Sequence, residues 1–232
     1  MDRLGAERED PLSGSVALDW HGERWRLLPA RAAVRCRGRW LVITDPHFGK
    51  AATFRAAGIH CPEPIDADLE RLDTLIDACG AERLVILGDL FHSAAALAPA
   101  VLEALSTWRG RHAELPITLV RGNHDRAAGD PPADLGRGLV DEGVTHDGVT
   151  LVHDAGGYGG AAATSAGPTL AGHVHPAVTL PDAGRVSVRL PCFRIGEWTM
   201  TLPAFGSFTG MHTVHGARGD RRFAIAPERV FE

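Results

Sequence analysis

Short apolar segments separated by glycine turns open the chain. Residues 16–20, 24–28 and 32–36 predict a strand meander, with turn signals at Gly22 and Gly38. Residues 40–43 add a strand ending at Thr44 and Asp45. The pattern then changes period. Residues 49–57 predict a short helix stopped by Gly58. Leu69, Leu72, Leu75, Ile76 and Cys79 recur at helical spacing over residues 66–79, with Pro64 before and Gly80 at the C-cap. The continuous apolar runs 84–87 and 117–120 predict strands buried on both faces. Between them, residues 94–108 predict an Ala/Leu-rich helix. Beyond residue 148 short strands dominate, at 149–153, 169–171, 186–190 and 198–202, with a Gly/Ala-rich loop at 155–168. The order predicts a parallel sheet in the first half joined to a second sheet, with helices outside, in one domain over 1–232.

Composition narrows the class. The 232 residues carry 44% hydrophobic and 23% charged side chains, ordinary for a globular chain. A net charge of -5 argues against nucleic-acid binding by bulk positive charge. A local basic patch or metal ions would have to do that work. Lys50 is the only lysine, Asn123 the only asparagine, and there is no glutamine. Cysteines stand at 36, 61, 79 and 192, with no C-x2-C pair, which predicts free thiols in a reducing compartment. The charged start MDRLGAERED has no apolar core for a secretion signal, and no run is long enough to span a membrane. The expected location is the cytoplasm.

Candidate chemistry gathers where the predicted strands end. Asp45 and His47 follow one strand, Asp89 and His92 a second, and Asn123, His124 and Asp125 a third. His153 follows a fourth, and His173 and His175 a fifth. In open α/β sheets, ligands bind at the carboxyl ends of strands. Carboxylate, imidazole and carboxamide donors in this number exceed what one tetrahedral zinc needs. They suit two divalent ions such as Mn²⁺, Fe²⁺ or Zn²⁺, with Asp89 the natural bridge. Two ions about 4 Å apart hold attacking and leaving oxygens of a phosphoryl centre and turn water into a nucleophile near neutral pH. Each piece alone also has a bland reading, because D-x-H arises by chance and a lone buried His is more often a satisfied core residue.

Asp45-Pro46-His47, Gly88-Asp89, Gly122-Asn123-His124-Asp125, His153 and Gly172-His173-Val174-His175 resemble the motifs of the calcineurin-like metallophosphoesterase superfamily. The resemblance implies an α/β fold: a two-sheet β-sandwich flanked by helices. It implies one metal held by Asp45, His47, Asp89 and His175, and the other by Asp89, Asn123, His153 and His173. His124 would assist the leaving oxygen, and Asp125 would orient it. Pro46 departs from the pattern, where an apolar residue such as Leu is expected.

A narrower resemblance spans most of the chain: residues 47–55, 88–93, Arg121, 190–193 and 202–206 are similar to the bacterial ligase-associated DNA damage response endonucleases. It implies a Mn²⁺-dependent phosphodiesterase that cuts DNA, with single strands favoured, and a functional link to a DNA ligase, an exonuclease and a helicase. An alternative within the fold is a small nucleotide or phosphomonoester substrate. A metal-poor binding scaffold fits less well, because every ligand position is filled. His92 is a candidate for phosphate contact, and Lys50, Arg55, Arg121 and Arg126 are candidate phosphate cations, each with a surface role as the bland reading. The basic run 218–222 could track a DNA backbone but reads more simply as a solvated turn. The glycines of 156–160 lack a P-loop pattern, and the 206–210 segment has Phe where a nucleophile elbow needs Ser. His21, His60, His112, His146, His212 and His215 read as structural or surface.

Overall fold

A computed structural model describes residues 12–56, 58–59, 65–133, 138–156, 167–180 and 187–232. Cys61, His60, Pro64, the charged start, and most of the 155–168 loop lie outside these residues, as does residue 186 at the head of one predicted strand.

The first sheet begins as the expected meander: β1 (Val16–Trp20), β2 (Glu23–Leu28), β3 (Ala32–Arg35) and β4 (Trp40–Ile43), all antiparallel. Three parallel strands extend it: β5 (Arg83–Ile86), β6 (Ile117–Val120) and β7 (Leu139–Val140). Helices α1 (Lys50–Ala56), α2 (Ile65–Cys79), α3 (Pro99–Arg111) and α4 (Asn123–Ala128) connect these strands or follow them. The predicted helix 94–108 is in fact two pieces, a 3-10 turn over Ala94–Leu97 and then α3. Ala98 between them is extended (φ -62°, ψ 144°) because Pro99 follows it, and proline disfavours helix in the preceding residue while serving well as a first helical residue.

The second sheet holds β8 (Val144–His146), β9 (Val149–Leu151), β10 (Thr169–Ala171), β11 (Pro176–Leu180), β12 (Val188–Ile195), β13 (Thr199–Thr201), β14 (His212–Thr213), β15 (Arg221–Ala226) and β16 (Arg229–Phe231). Its path runs β14-β11-β12-β13-β10-β9-β8, and the β15–β16 hairpin branches from β12. The expected solvated turn is found at residues 218–219, and Arg221 and Arg222 open β15. There Arg221 pairs with Glu232 at 2.6 Å.

Alternation in the strands builds two cores. Leu41, Ile43, Leu84 and Ile86 point to the helices and pack on Leu69, Leu72, Leu75, Leu105 and Trp108. Trp40, Val42, Val85 and Leu87 point the other way and meet Leu170, Phe193, Met200, Leu202 and Phe223 of the second sheet. The two sheets thus form a sandwich, with the described helices against the first. Burying each large apolar side chain contributes roughly 1.5–3 kcal/mol. This double core fixes the carboxyl ends of β4, β5, β6, β9 and β10 beside one another. Among the described residues, no helix is long and apolar enough to cross a membrane. Cys36, Cys79 and Cys192 are free thiols, and Cys79 sits half-buried at the core edge.

Candidate metal centre

The loops after β4 and β5 continue the parallel pairing of their strands. Asp45 N–H donates to Gly88 O (3.2 Å), His47 N–H to Asp89 O (3.1 Å) and Phe48 N–H to Leu90 O (2.9 Å). Residue 46 donates nothing in this ladder, so proline there leaves no acceptor unpaired. The ladder brings Asp45, His47 and Asp89 together. Gly172 N–H donates to His153 O (2.9 Å), and His173 N–H reaches Asp45 Oδ2 (2.9 Å), which draws in the loops after β9 and β10. Asp45, His47, Asp89, His173 and His175 all have φ between 48° and 66°. Left-handed backbone at non-glycine residues costs about 1–3 kcal/mol each and persists where surroundings impose it. Here it turns successive side chains of tight loops toward one point.

Two donor groups result. Ligand atoms of Asp45, His47 and His175 lie within 4.8 Å of one another, as do those of Asp89, His153 and His173. Asp89 Oδ2 lies 3.4 Å from His153 Nε2 and 3.9 Å from His47 Nε2, so it stands between the groups. Asn123 Oδ1 lies 2.9 Å from His153 Nε2, whose other side faces His173 Nδ1 at 3.1 Å. The donors fit divalent cations on two counts. Asp45 Oδ1 is buried with no hydrogen-bond partner, although His175 Nε2 stands 3.2 Å away. His153 Nδ1 is 2.8 Å from Leu87 O and donates to it, which turns the Nε2 lone pair toward the Asn123 oxygen. Two acceptors facing each other need a proton or a cation between them.

Burial works against ionisation of Asp45 and Asp89, but His175 and Thr44 around the first, and His153 and the His124 amide around the second, hold both below their ordinary values. Burial would also lower His153, but the Asp89 hydrogen bond and the charges of Asp45 and Asp89 outweigh it and push the ring up to about 9, so without a cation a proton occupies the Nε2 position that a metal ion would take. In His47 burial prevails over the same carboxylates and the pKa falls to about 3, leaving the neutral ring a metal needs.

The third loop supplies His124. Its ring Nδ1 is 2.7 Å from His92 O, which leaves Nε2 directed to the centre, 4.0 Å from Asp89 Oδ2. The expected orienting partner was Asp125. Its buried carboxylate instead accepts the Gly122 (2.9 Å) and Phe91 (3.2 Å) amides, and so ties the third loop to the second. The His92 ring stacks on His124, with centroids 4.7 Å apart. Burial, then Lys50 and His124, push the His92 pKa down to about 4 and keep the ring neutral.

Supporting groups escape sequence reading. Glu142 accepts the His153 and Asp154 amides at 2.9 and 2.8 Å, and Thr44 Oγ1 donates to Asp45 Oδ2 at 2.6 Å. Thr44 is at least visible as a hydroxyl at a strand end; nothing local singles out Glu142.

The four candidate phosphate cations differ. Lys50 opens α1 and its charge bears on the His47 and His92 rings. Arg55 is exposed on the last turn of α1. Arg126 is half exposed, 3.7 Å from Glu142. Arg121 is already matched by Asp130 and Asp141, at 3.0 and 2.8 Å, so its charge is locally offset. The expectation of a phosphate contact transfers best to Lys50. Of the histidines read as structural, His21 meets Glu197 O and Trp198, and His112 pairs with Asp73.

Two motif glycines have a steric reason. A Cβ on Gly122 would stand 2.2 Å from Asp89 Oδ1, and one on Gly172 would stand 1.8 Å from Thr44 Oγ1 and 2.7 Å from Asp45 Oδ2. Gly122→Ala must therefore displace the Asp89 carboxylate. A shift of about 1 Å in such a site costs on the order of 100-fold in rate. We expect that loss, together with weakened Mn²⁺ binding, and calorimetry beside a phosphodiester assay checks both. Full activity in Gly122→Ala would show that the carboxylate is not held where it matters.

Comparison with known proteins agrees with this geometry. The chain matches the family model of calcineurin-like phosphoesterases over residues 38–188. Among solved structures, Pseudomonas putida nuclease MPE is 38% identical, with 94% of this chain and 100% of that chain covered and a TM-score of 0.78. A conserved uncharacterized protein from Streptococcus pneumoniae is 18% identical, with 81% of this chain and 82% of that chain covered and a TM-score of 0.34. No curated protein matches the chain at a significant level. With its family model matched over most of its length and its donor groups brought together at five strand ends, the chain belongs to the calcineurin-like phosphoesterase family, hydrolases that work with divalent metals.

Proposed function

We propose that this enzyme is a two-metal phosphodiesterase that cuts DNA within the strand, with Mn²⁺ as its metal, single strands as its preferred substrate and DNA repair as its setting. The observation that carries the reading is the 38% identity to a nuclease over 94% of the chain. The open setting of the donors supports it: the side chains of His124 and His173 are 37% and 41% exposed, which leaves room for a polymer to pass across them.

Asp45, His47, Asp89 and His175 would hold one ion, and Asp89, Asn123, His153 and His173 the other. Bound there, the ions supply charge for the phosphate oxygens and an activated water. The chain's own groups do the rest. Lys50 meets a non-bridging phosphate oxygen and draws the backbone against α1. His124, anchored through Nδ1 to the His92 carbonyl, presents Nε2 to the leaving oxygen, and in its protonated form gives that oxygen a proton. Neutral His92 packs against the His124 ring and fixes its plane. Asp125 acts on the loops, through the Gly122 and Phe91 amides.

Circular single-stranded DNA tests the reading, because a circle has no ends for an exonuclease. We expect nicking with Mn²⁺ and none in a chelator. Hydrolysis of a simple aryl phosphodiester without any nicking would move the substrate to a small nucleotide. A functional link to ligase, exonuclease and helicase belongs to the same repair reading.

A further inference from the structure

Outside the candidate metal centre, on two segments joined to its loops, lies an aromatic pair that neither core includes. Phe54 on α1 and Phe208 in the 206–210 loop meet edge to face, centroids 5.4 Å apart. Phe208 keeps 41% of its surface exposed. Phe54 is partly exposed as well.

Both supports are fastened to the centre. Thr53 Oγ1 lies 2.8 Å from Ser93 Oγ, which pins α1 to the loop carrying His92. Gly206 N–H donates to Asp45 O (3.3 Å), and the Ser207 amide and hydroxyl both reach Asp68 Oδ2 at 3.2 Å. Asp68 is in turn paired with Arg71, whose guanidinium lies over the Phe205 ring. Phe208 is therefore an exposed aromatic on an anchored loop, not a side chain at the end of a loose one. Lys50 and Phe54 are four residues apart on α1, one turn along the same face, or about 6 Å. Lys50 bears on His47 and His92, so the order outward from the centre is donors, cation, aromatic pair.

We propose that Phe54 and Phe208 form a stacking platform for an unpaired nucleobase of the DNA strand whose phosphate lies at the metal centre. The inference rests on the nuclease reading and adds to it the residues that select single strands. A cation followed by an aromatic face at the distance of about one nucleotide is how single-strand binders combine backbone and base contacts. In a duplex both faces of a base are covered by its neighbours, so the platform has nothing to accept. Stacking is indifferent to base identity, so no sequence preference follows from it. The surrounding cation makes an anionic chain a better occupant than an apolar peptide.

The test compares oligothymidylate with an abasic chain of the same length, both single-stranded and both with Mn²⁺. For Phe208→Ala we expect kcat/KM to fall about 5–150-fold on oligothymidylate, the range that losing one stacked base gives. On the abasic chain the variant should equal the parent, which also shows that it is folded and its metal centre intact. Phe208→Trp should restore the preference for thymidylate. Equal losses on both chains would make Phe208 a structural support of the Asp45 loop, and no loss on either would leave the pair without a role in DNA binding; each outcome overturns the inference while the nuclease reading stands. A parent enzyme that hydrolyses an aryl phosphodiester but cuts neither chain would overturn the nuclease reading first and the platform with it.

Discussion

Replacing Asp89 with alanine is expected to abolish hydrolysis and to lower Mn²⁺ binding at both donor groups together. Asp89 is 2% exposed and touches both groups through a single oxygen, with Oδ2 3.4 Å from His153 Nε2 and 3.9 Å from His47 Nε2. Its other oxygen accepts the His124 amide at 2.9 Å, so it also holds the third loop in place. Loss of a group that merely orients a ligand already costs about 10–100-fold in metal affinity or activity, and losing a shared ligand should exceed that range. The backbone ladder through the Asp89 carbonyl survives the substitution, so the variant should fold. Asp89→Asn separates charge from shape: it keeps the oxygen that meets the His124 amide but removes the negative charge, and should fail to bind metal nearly as fully. Calorimetric Mn²⁺ titration and an aryl phosphodiester assay read both effects. Near-parental turnover with two ions bound per chain would refute the assignment of Asp89 as the shared ligand.

The candidate ligands are legible because each follows a strand whose apolar run announces it. Leu84 to Leu87 ends at Asp89, and the run at 117–120 ends at Asn123. What sequence cannot carry is the backbone that aims them. Nothing in the letters at Asp45 or His175 shows that both are left-handed, though Asp and His tolerate that region better than most residues. The role of the His92 carbonyl was equally hidden, because any residue there supplies a carbonyl and only the fold sets it 2.7 Å from His124 Nδ1. The break at Ala98 is visible in principle: the Ala/Leu composition favours an unbroken helix from 94, but a proline at 99 disfavours helix in the residue before it. Strands β11 and β15 escaped for opposite reasons. The first begins with a proline directly after the Gly172–His175 motif, and the second begins with two exposed arginines that look like a turn. In both the paired partner, β12, decides the conformation rather than the local sequence.

Replacing His124 with alanine should behave differently, keeping the metals and losing rate according to the leaving group. The link between this position and Asp89 is the backbone N–H at 2.9 Å, which alanine retains. The imidazole itself is 37% exposed and stands 4.0 Å from Asp89 Oδ2, on the open side of the donors. Its removal therefore takes away a proton donor and leaves the ligand frame. A positioned acid contributes about 10²–10⁴-fold when the departing oxygen needs a proton. For an alkoxide leaving group, as in DNA, the loss should reach that range. For a nitrophenolate, which departs without help, it should be far smaller. A series of aryl and alkyl phosphodiesters graded by leaving-group pKa measures this, and the slope of log kcat against that pKa should steepen in the variant. A uniform loss across the series would assign His124 to charge stabilisation on the phosphate instead, and a parallel loss of bound Mn²⁺ would make it part of the frame.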